Sequence, residues 1–238
     1  MNYPELQTMV DQSQRIVFFG GAGVSTESGI PDFRGTDGLY HQKYAYPPET
    51  ILSHTFFVRK PEEFFRFYRD KMLPLEAEPN AAYRKLVEWE QNGKLSAIVT
   101  QNIDGLHQKA GNRKVYELHG SIHRNYCVKC GKFYGPEMIR DSKEPVPVCQ
   151  CGGTIKPDVV LYEEGLDEDV LNGAVRAIAT ADMMIVAGTS LTVYPAAGLL
   201  RYFRGKYLVL INRDATSMDD ACNLVIRDKV GQVLGSLT

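Results

Sequence analysis

Three clusters of polar or flexible residues in this chain stand directly after apolar runs. Gln101-Asn102-Ile103-Asp104 follows Ser96 to Thr100 (SAIVT), His119-Gly120 follows Val115 to Leu118, and Gly20-Gly21-Ala22-Gly23 with Ser25 and Thr26 follows Ile16 to Phe19. Polar side chains at the carboxyl ends of parallel strands converge on the crevice where open α/β sheets hold their ligands. An amide, a carboxylate and an imidazole gathered there suit the gripping of a polar group and proton transfer, with the imidazole as general base. Glycines let backbone N–H groups approach a ligand, and a strand, a glycine turn and a helix start together can lodge a phosphate. The dinucleotide fingerprint is nevertheless incomplete. Reading from Gly21, Thr26 stands where G-x-G-x-x-G needs its third glycine. Nor does an acidic residue close an obvious second strand about 20 residues on. Just beyond, Gly29-Ile30-Pro31-Asp32-Phe33-Arg34 sets an acid, an aromatic ring and a guanidinium in a row.

A second kind of chemistry lies in the cysteines. Cys127-x-x-Cys130 and Cys149-x-Cys151 are two thiol pairs separated by 18 residues. Each pair can clasp one edge of a tetrahedral ion, and four thiolates suit zinc. Four protein ligands leave no position for water, so such a site is structural. Gly131 and Gly152-Gly153 supply the tight turns after the pairs. Cys222 stands apart and reads as a small buried hydrophobe.

The elements that must carry these residues alternate. The pattern predicts a helix over Pro4 to Gln14, the strand at Ile16, and a helix start at Ser25 and Thr26. Residues 35–48 are loop-like and aromatic, and helices follow from Pro61 to Tyr68 and from Asn80, as cap, to Trp89. On the latter helix Tyr83, Leu86, Val87 and Trp89 form the core-facing set. Further on come strands at Ser96 to Thr100, Val115 to Leu118, Lys156 to Tyr162, Met183 to Ala187, Tyr207 to Ile211 and Asn223 to Ile226. Helices over Asp167 to Thr180, Pro195 to Phe203 and the C-terminus complete the alternation. This argues for a mostly parallel sheet with helices on both faces and the ligand along its carboxyl edge.

The 238 residues suffice for one large domain or a domain with an insertion. Charge is nearly balanced, at 27 basic and 29 acidic residues, with no basic block of nucleic-acid type. No apolar run reaches membrane-spanning length, and the polar N-terminus lacks the order of a secretion signal. A soluble cytoplasmic protein is expected, with no nucleic-acid or membrane partner. The oligomeric state is open, and a monomer is compatible with the sequence.

Taken together, Gly21-Ala22-Gly23-Val24-Ser25, GIPDFR at 29–34, TQNIDGLH at 100–107, His119-Gly120, the four cysteines, Gly188-Thr189-Ser190 and Ile211-Asn212-Arg213 resemble the sirtuin family of NAD-dependent protein deacylases. The resemblance covers essentially the whole chain in order. It implies a Rossmann-like large domain and a smaller lobe made of a helical insertion, near residues 36–78, and a zinc ribbon, near residues 120–157. It further implies NAD as co-substrate, one structural zinc, and acetyl-lysine proteins or peptides as partners.

By the same resemblance, Gly21, Ala22, Gly23, Ser25, Thr26, Asp32, Phe33 and Arg34 belong to the NAD loop. Gln101, Asn102, Ile103 and Asp104 form the nicotinamide pocket and hold its ribose, while Gly188, Thr189, Ser190, Asn212, Arg213 and Asp228 serve the adenosine half. Asn102, Asp104 and His119 are the implied catalytic set. The acetyl oxygen attacks ribose C1′, nicotinamide leaves, and His119 takes a proton from the ribose diol, so that O-acetyl-ADP-ribose results. Phe33 would shield the reacting centre from water. Val160, Leu161 and Tyr162 form the substrate strand.

Two departures stand out. Glu163-Glu164 follows the substrate-strand aromatic where the family commonly has Gly-Glu, and Glu163 is expected to favour basic residues flanking the lysine. Members that take succinyl or malonyl lysine carry Tyr-x-x-Arg; here Tyr68-Arg69-Asp70-Lys71 ends in lysine, without the bidentate fork. Acetyl lysine is therefore expected. The alternatives are a deacylase for acidic or longer acyl groups and a non-catalytic NAD or ADP-ribose sensor. Without the resemblance, a zinc-containing nucleotide-binding oxidoreductase would be the competing reading.

Overall fold

The computed structural model describes residues 3–32 and 44–238. Phe33, Arg34 and the first part of the expected aromatic loop lie outside them. In chain order the helices are α1 (Pro4–Asp11), α2 (Pro48–Ile51), α3 (His54–Arg59), α4 (Pro61–Lys71), α5 (Ala81–Gln91), α6 (Leu106–Ala110), α7 (Glu137–Arg140), α8 (Glu168–Thr180) and α9 (Val230–Gly235). The strands are β1 (Ile16–Gly20), β2 (Leu95–Thr100), β3 (Val115–Glu117), β4 (Gly120–Cys127), β5 (Phe133–Tyr134), β6 (Ile155–Val159), β7 (Met183–Ala187), β8 (Tyr207–Ile211) and β9 (Leu224–Ile226).

Six strands form a parallel sheet in the order β3-β2-β1-β7-β8-β9. β1 is apolar and buried along its whole length, as a strand covered on both faces must be. Alternation sorts its side chains. Ile16 and Phe18 pack with α1, α5 and α9 through Leu6, Tyr83, Leu86 and Val233. Val17 and Phe19 pack on the other face with α8 through Ala174 and Ile178. The result is the expected three-layer α/β architecture.

A second sheet, antiparallel and ordered β5-β4-β6, stands apart from the first. Its core is shared with α2, α3, α4 and α7: Phe64, Phe65 and Tyr68 pack in one cluster with Ile122, Ile139, Ile155, Cys127 and Cys149. The aromatic helices and the cysteine-bearing segment therefore make one body around one apolar centre.

The register of the large sheet positions the chemistry. Gly20 pairs with both Thr100 and Ala187, Thr100 pairs with Glu117, and Ala187 pairs with Ile211. All these strands end at one level, so Gly21, Gln101, His119, Gly188 and Asn212 emerge along one rim. Close approach of two of the emerging loops depends on glycine. Gly23 N–H donates to Gly188 O at 2.8 Å, and a Cβ on Gly188, whose φ is +60°, would come within 2.4 Å of Val24 N.

Three sequence expectations are corrected. The glycine turn does not open an α-helix: Ala22–Val24 and Thr26–Ser28 are separate 3-10 turns, closed by Gly29 at φ +83° ahead of Pro31. Residues Ala196–Tyr202 are likewise 3-10, with Gly198, a poor helix former, at the centre. The strand expected to run to Tyr162 stops at Val159. Beyond it Val160 N–H turns to His119 O and Tyr162 bridges to Ser53, before Glu163 reverses the chain at φ +76°.

Gly120 joins the two sheets at φ +75°, and a Cβ there would stand 1.9 Å from Asp158 O. Gly93 has nearly the same φ, +73°, but open space around it. In urea unfolding, Gly93→Ala is expected to cost about 1 kcal/mol, from backbone conformation alone. Gly120→Ala is expected to cost clearly more, about 3 kcal/mol, because backbone must also move. Equal costs would contradict the packed junction.

Candidate active site

A cavity of about 510 Å³ runs along the rim and reaches the second sheet. It is lined by every described residue expected to serve catalysis, NAD or the peptide, the four cysteines lying elsewhere: Gly21, Ala22, Gly23, Ser25, Thr26, Asp32, Gln101, Asn102, Ile103, Asp104, His119, Val160, Leu161, Tyr162, Gly188, Thr189, Ser190, Asn212, Arg213 and Asp228.

The centre of the cavity is a network of buried polar groups. Asn102 Nδ2 donates to Gly21 O at 3.0 Å and to Ser25 Oγ at 3.1 Å. Ser25 Oγ donates to Asp104 Oδ2 at 2.6 Å, and Leu106 N–H donates to Asp104 Oδ1 at 2.9 Å. Asp104 is only 9% exposed. Burial pushes its carboxyl upward, while the Ser25 hydroxyl, the Leu106 amide and the nearby His123 pull it back. A buried carboxylate with committed donors is fixed in direction and ready to accept one more donor from a ligand.

His119 is set by the same loop. Its Nδ1 lies 3.0 Å from Gln101 O, and a carbonyl only accepts, so Nδ1 carries the proton. In the neutral ring Nε2 is then an unprotonated base. Burial holds the imidazole below its ordinary value, against the opposing pull of the Gln101 carbonyl. Gln101 is itself anchored, its Nε2 donating to Thr189 Oγ1 at 3.0 Å.

Toward the outer rim, Arg213 and Asp32 approach to 3.6 Å. Asp228 accepts the Tyr3 hydroxyl at 2.8 Å and the Lys229 amide, which hold its carboxyl below the usual range. At the opposite edge the segment 160–162 runs between His119 and the turn from α2 to α3. Tyr162 N–H donates to Leu52 O and Tyr162 O accepts from His54 N–H, both at 3.0 Å. The Glu163 carboxylate accepts the Thr55 amide and hydroxyl at 2.8 and 2.7 Å, capping α3. It therefore has an intramolecular role beside any it plays toward a peptide.

Lys71 lines the cavity, whereas Arg69 turns away and donates to Ile139 O, Glu144 O and Pro145 O. One contributor escaped sequence reading. Tyr83, assigned to the core by helical spacing, is fully buried, yet its hydroxyl lies 2.7 Å from Ser25 Oγ. The available signal was chemical: a buried phenol needs a hydrogen-bond partner.

Away from the cavity, the Sγ atoms of Cys127, Cys130, Cys149 and Cys151 all lie within 4.8 Å of one another. Cys127 and Cys151 are 3.4 Å apart, and Cys130 and Cys149 3.7 Å. A tetrahedron with Zn–S bonds of 2.3 Å has edges of about 3.8 Å, so four thiolates at these separations fit zinc. Tyr134 OH and Lys129 N–H donate to Cys149 and Cys127 Sγ, the outer bonds that orient metal ligands. Among the described residues no helix is long and apolar enough to cross a membrane.

A profile of the Sir2 family matches residues 21–195. The NAD-dependent protein deacetylase of Clostridium acetobutylicum is 60% identical over 233 residues, covering 97% of this chain and 95% of that protein. The one from Clostridium perfringens is 56% identical over 237 residues, covering 98% and 97%. Among solved structures, a Sir2 variant with deacetylated p53 peptide and 3′-O-acetyl-ADP-ribose matches with TM-score 0.90 and 40% identity. A Sir2 with p53 peptide and NAD+ matches with TM-score 0.86, also at 40% identity. In both, 98% of this chain and 95% of the other are covered.

The thiol cluster generates a direct test. Metal analysis of freshly purified protein is expected to give close to one zinc per chain. Mercurial titration of the thiols should release it and lower the melting temperature by several degrees. Protein that is folded and stable without bound metal would contradict the assignment.

Proposed function

The chain belongs to the Sir2 family, and from that premise we infer that it is an NAD-dependent protein-lysine deacetylase. The observation that carries this reading is the meeting, in one cavity, of a base, a buried carboxylate and a glycine loop, with the 160–162 segment at the far edge. Bound NAD supplies a ribosyl group with nicotinamide as leaving group, so that, with one water consumed, the acetyl group ends on ADP-ribose and free lysine is released.

The chain's own residues have the following parts in this reading. Gly21, Ala22, Gly23 and Thr26 of the glycine loop, with Asp32, Phe33 and Arg34, bind the pyrophosphate side. Gly188, Thr189, Ser190, Asn212, Arg213 and Asp228 receive the adenosine half. Asp104, with the backbone of Ile103, accepts and orients the nicotinamide carboxamide, and Gln101 and Asn102 hold the adjoining ribose. His119 Nε2 takes a proton from a ribose hydroxyl. Val160, Leu161 and Tyr162 bind the peptide backbone as an added strand.

The acetyl preference rests on Lys71, which lines the cavity in place of a bidentate arginine. We assign residues 36–78 to a helical insertion and 120–157 to a zinc ribbon, with the remainder as the NAD-binding domain. Four reduced thiols for a metal suit the cytoplasm.

The test is mass spectrometry of an acetyl-lysine peptide with and without NAD. NAD-dependent loss of the acetyl group with O-acetyl-ADP-ribose formed is expected, reduced at least about 100-fold in His119→Ala, the scale of a lost general base. NAD binding without turnover of any acyl peptide would favour the sensor instead. The pH profile follows from burial. A base with a depressed value stays neutral at pH 7 and is lost only as pH falls through that depressed value. The His119 limb of kcat/KM, which reports the free enzyme, should therefore lie below the ordinary histidine value of about 6.5. A limb above that value would contradict the assignment.

A further inference from the structure

The Tyr83 hydroxyl has no part in the reaction above, yet it bonds Ser25, which lines the site. Tyr83 is wholly buried on α5, and three polar groups surround its partner, Ser25 Oγ: Asp104 Oδ2 at 2.6 Å, Tyr83 OH at 2.7 Å and Asn102 Nδ2 at 3.1 Å. A serine hydroxyl has one proton and two lone pairs. Asn102 Nδ2 faces the Gly21 carbonyl, which fixes it as the donor side of the amide, so it fills one lone pair.

The remaining assignments depend on Asp104. When its carboxyl is ionised it only accepts, so Ser25 gives it the proton and Tyr83 donates into the second lone pair of Ser25. Every proton then has an acceptor. A proton on Asp104 Oδ2 reverses the chain: Asp104 donates to Ser25, and Ser25 donates to Tyr83. The phenolic proton is then stranded, because the other side chain bonded to the Tyr83 hydroxyl, Asn102, acts on it as a donor and offers no acceptor. A proton on Oδ1 instead displaces the Leu106 amide. Both protonated forms lose a bond that the ionised form keeps.

We propose that Tyr83 is a positioning residue that holds Asp104 in its ionised, carboxamide-accepting form by fixing the direction of the hydrogen-bond chain from Tyr83 through Ser25 to Asp104. This rests on Asp104 belonging to the nicotinamide pocket. The other groups around the chain are accounted for. His123 on β4, whose Nε2 lies 3.0 Å from the Asp104 carbonyl, favours the carboxylate. His107 on α6 packs its ring 4.6 Å from that of Tyr83 and is pushed down to about 3 by burial, so it adds no charge near neutrality. Burial and the nearby carboxylate push the Tyr83 phenol upward, keeping it a donor.

The test is the pH dependence of binding by calorimetry, with NAD and with ADP-ribose, which lacks the nicotinamide. Wild-type protein should lose NAD affinity at acid pH as Asp104 protonates. Tyr83→Phe should move that midpoint up by about one pH unit, roughly tenfold in affinity below it, while ADP-ribose binding stays unchanged. In an Asp104→Asn background the limb should be absent and Tyr83→Phe should add nothing. If Tyr83→Phe does not fold, Tyr83→Leu removes the same phenol while keeping Ser25 and carries the same expected midpoint shift. An unmoved midpoint in the folded variant overturns the proposal alone. Wild-type affinity for NAD in Asp104→Asn overturns the nicotinamide-pocket reading and the proposal with it.

Discussion

The level at which the parallel strands stop is the constraint on which the molecule depends. β1 lies between β2 and β7, and Gly20 is in register with the last residues of both. The chain leaves β1 toward β2 and β3 on one side, and returns to β7, β8 and β9 on the other. Such a switch opens a crevice that no crossover covers. The polar residues after each strand have only this rim to occupy. The crevice narrows where the loop after β1 meets the loop after β7, through glycines at Gly23 and Gly188 that leave no space for a side chain.

The second dependence is electrostatic. A carboxylate as buried as Asp104 costs too much to keep charged unless its oxygens are met by donors. Ser25, from the loop after β1, and Leu106, from the start of α6, meet them, while Asn102 ties Ser25 back to Gly21. The loops after β1 and β2 are thus held together by the donors that stabilise one charge. Asn80 extends this tie. As the cap of α5 it accepts the Ala82 amide, and its own amide donates to Val24 O and Ser28 Oγ. The helix that carries Tyr83 is thereby locked to the loop that carries Ser25.

Much of this was legible in the sequence. β1 and β7 are short apolar runs buried on both faces, and their ends are punctuated by Gly, which makes both strand and rim readable. The thiol pairs were readable because metal geometry restricts their spacing. The segment after Gly23 was not: serine and threonine after a glycine turn look like a helix cap, but Gly29 and Pro31 limit the chain to two 3-10 turns. Tyr83 was invisible as a site residue because periodicity reports that a side chain faces inward, not what its hydroxyl meets 58 residues away. Nor does periodicity reveal that α4 and the cysteine segment share one core, since that depends on contacts across the zinc-bearing sheet.

In the proposed reading, His119 stands between the nucleotide site on the large sheet and the peptide edge beside the small one: its side chain bonds Gln101 O and its carbonyl accepts Val160 N–H at 3.0 Å. Breaking NAD and removing the acetyl group are then one event in one cavity. The most direct measurement is the ratio of nicotinamide released to lysine freed, by chromatography of a single reaction. A ratio of about one is expected at every time point, with neither product formed when either substrate is left out. Nicotinamide released without a peptide, or lysine freed without nicotinamide, would contradict it.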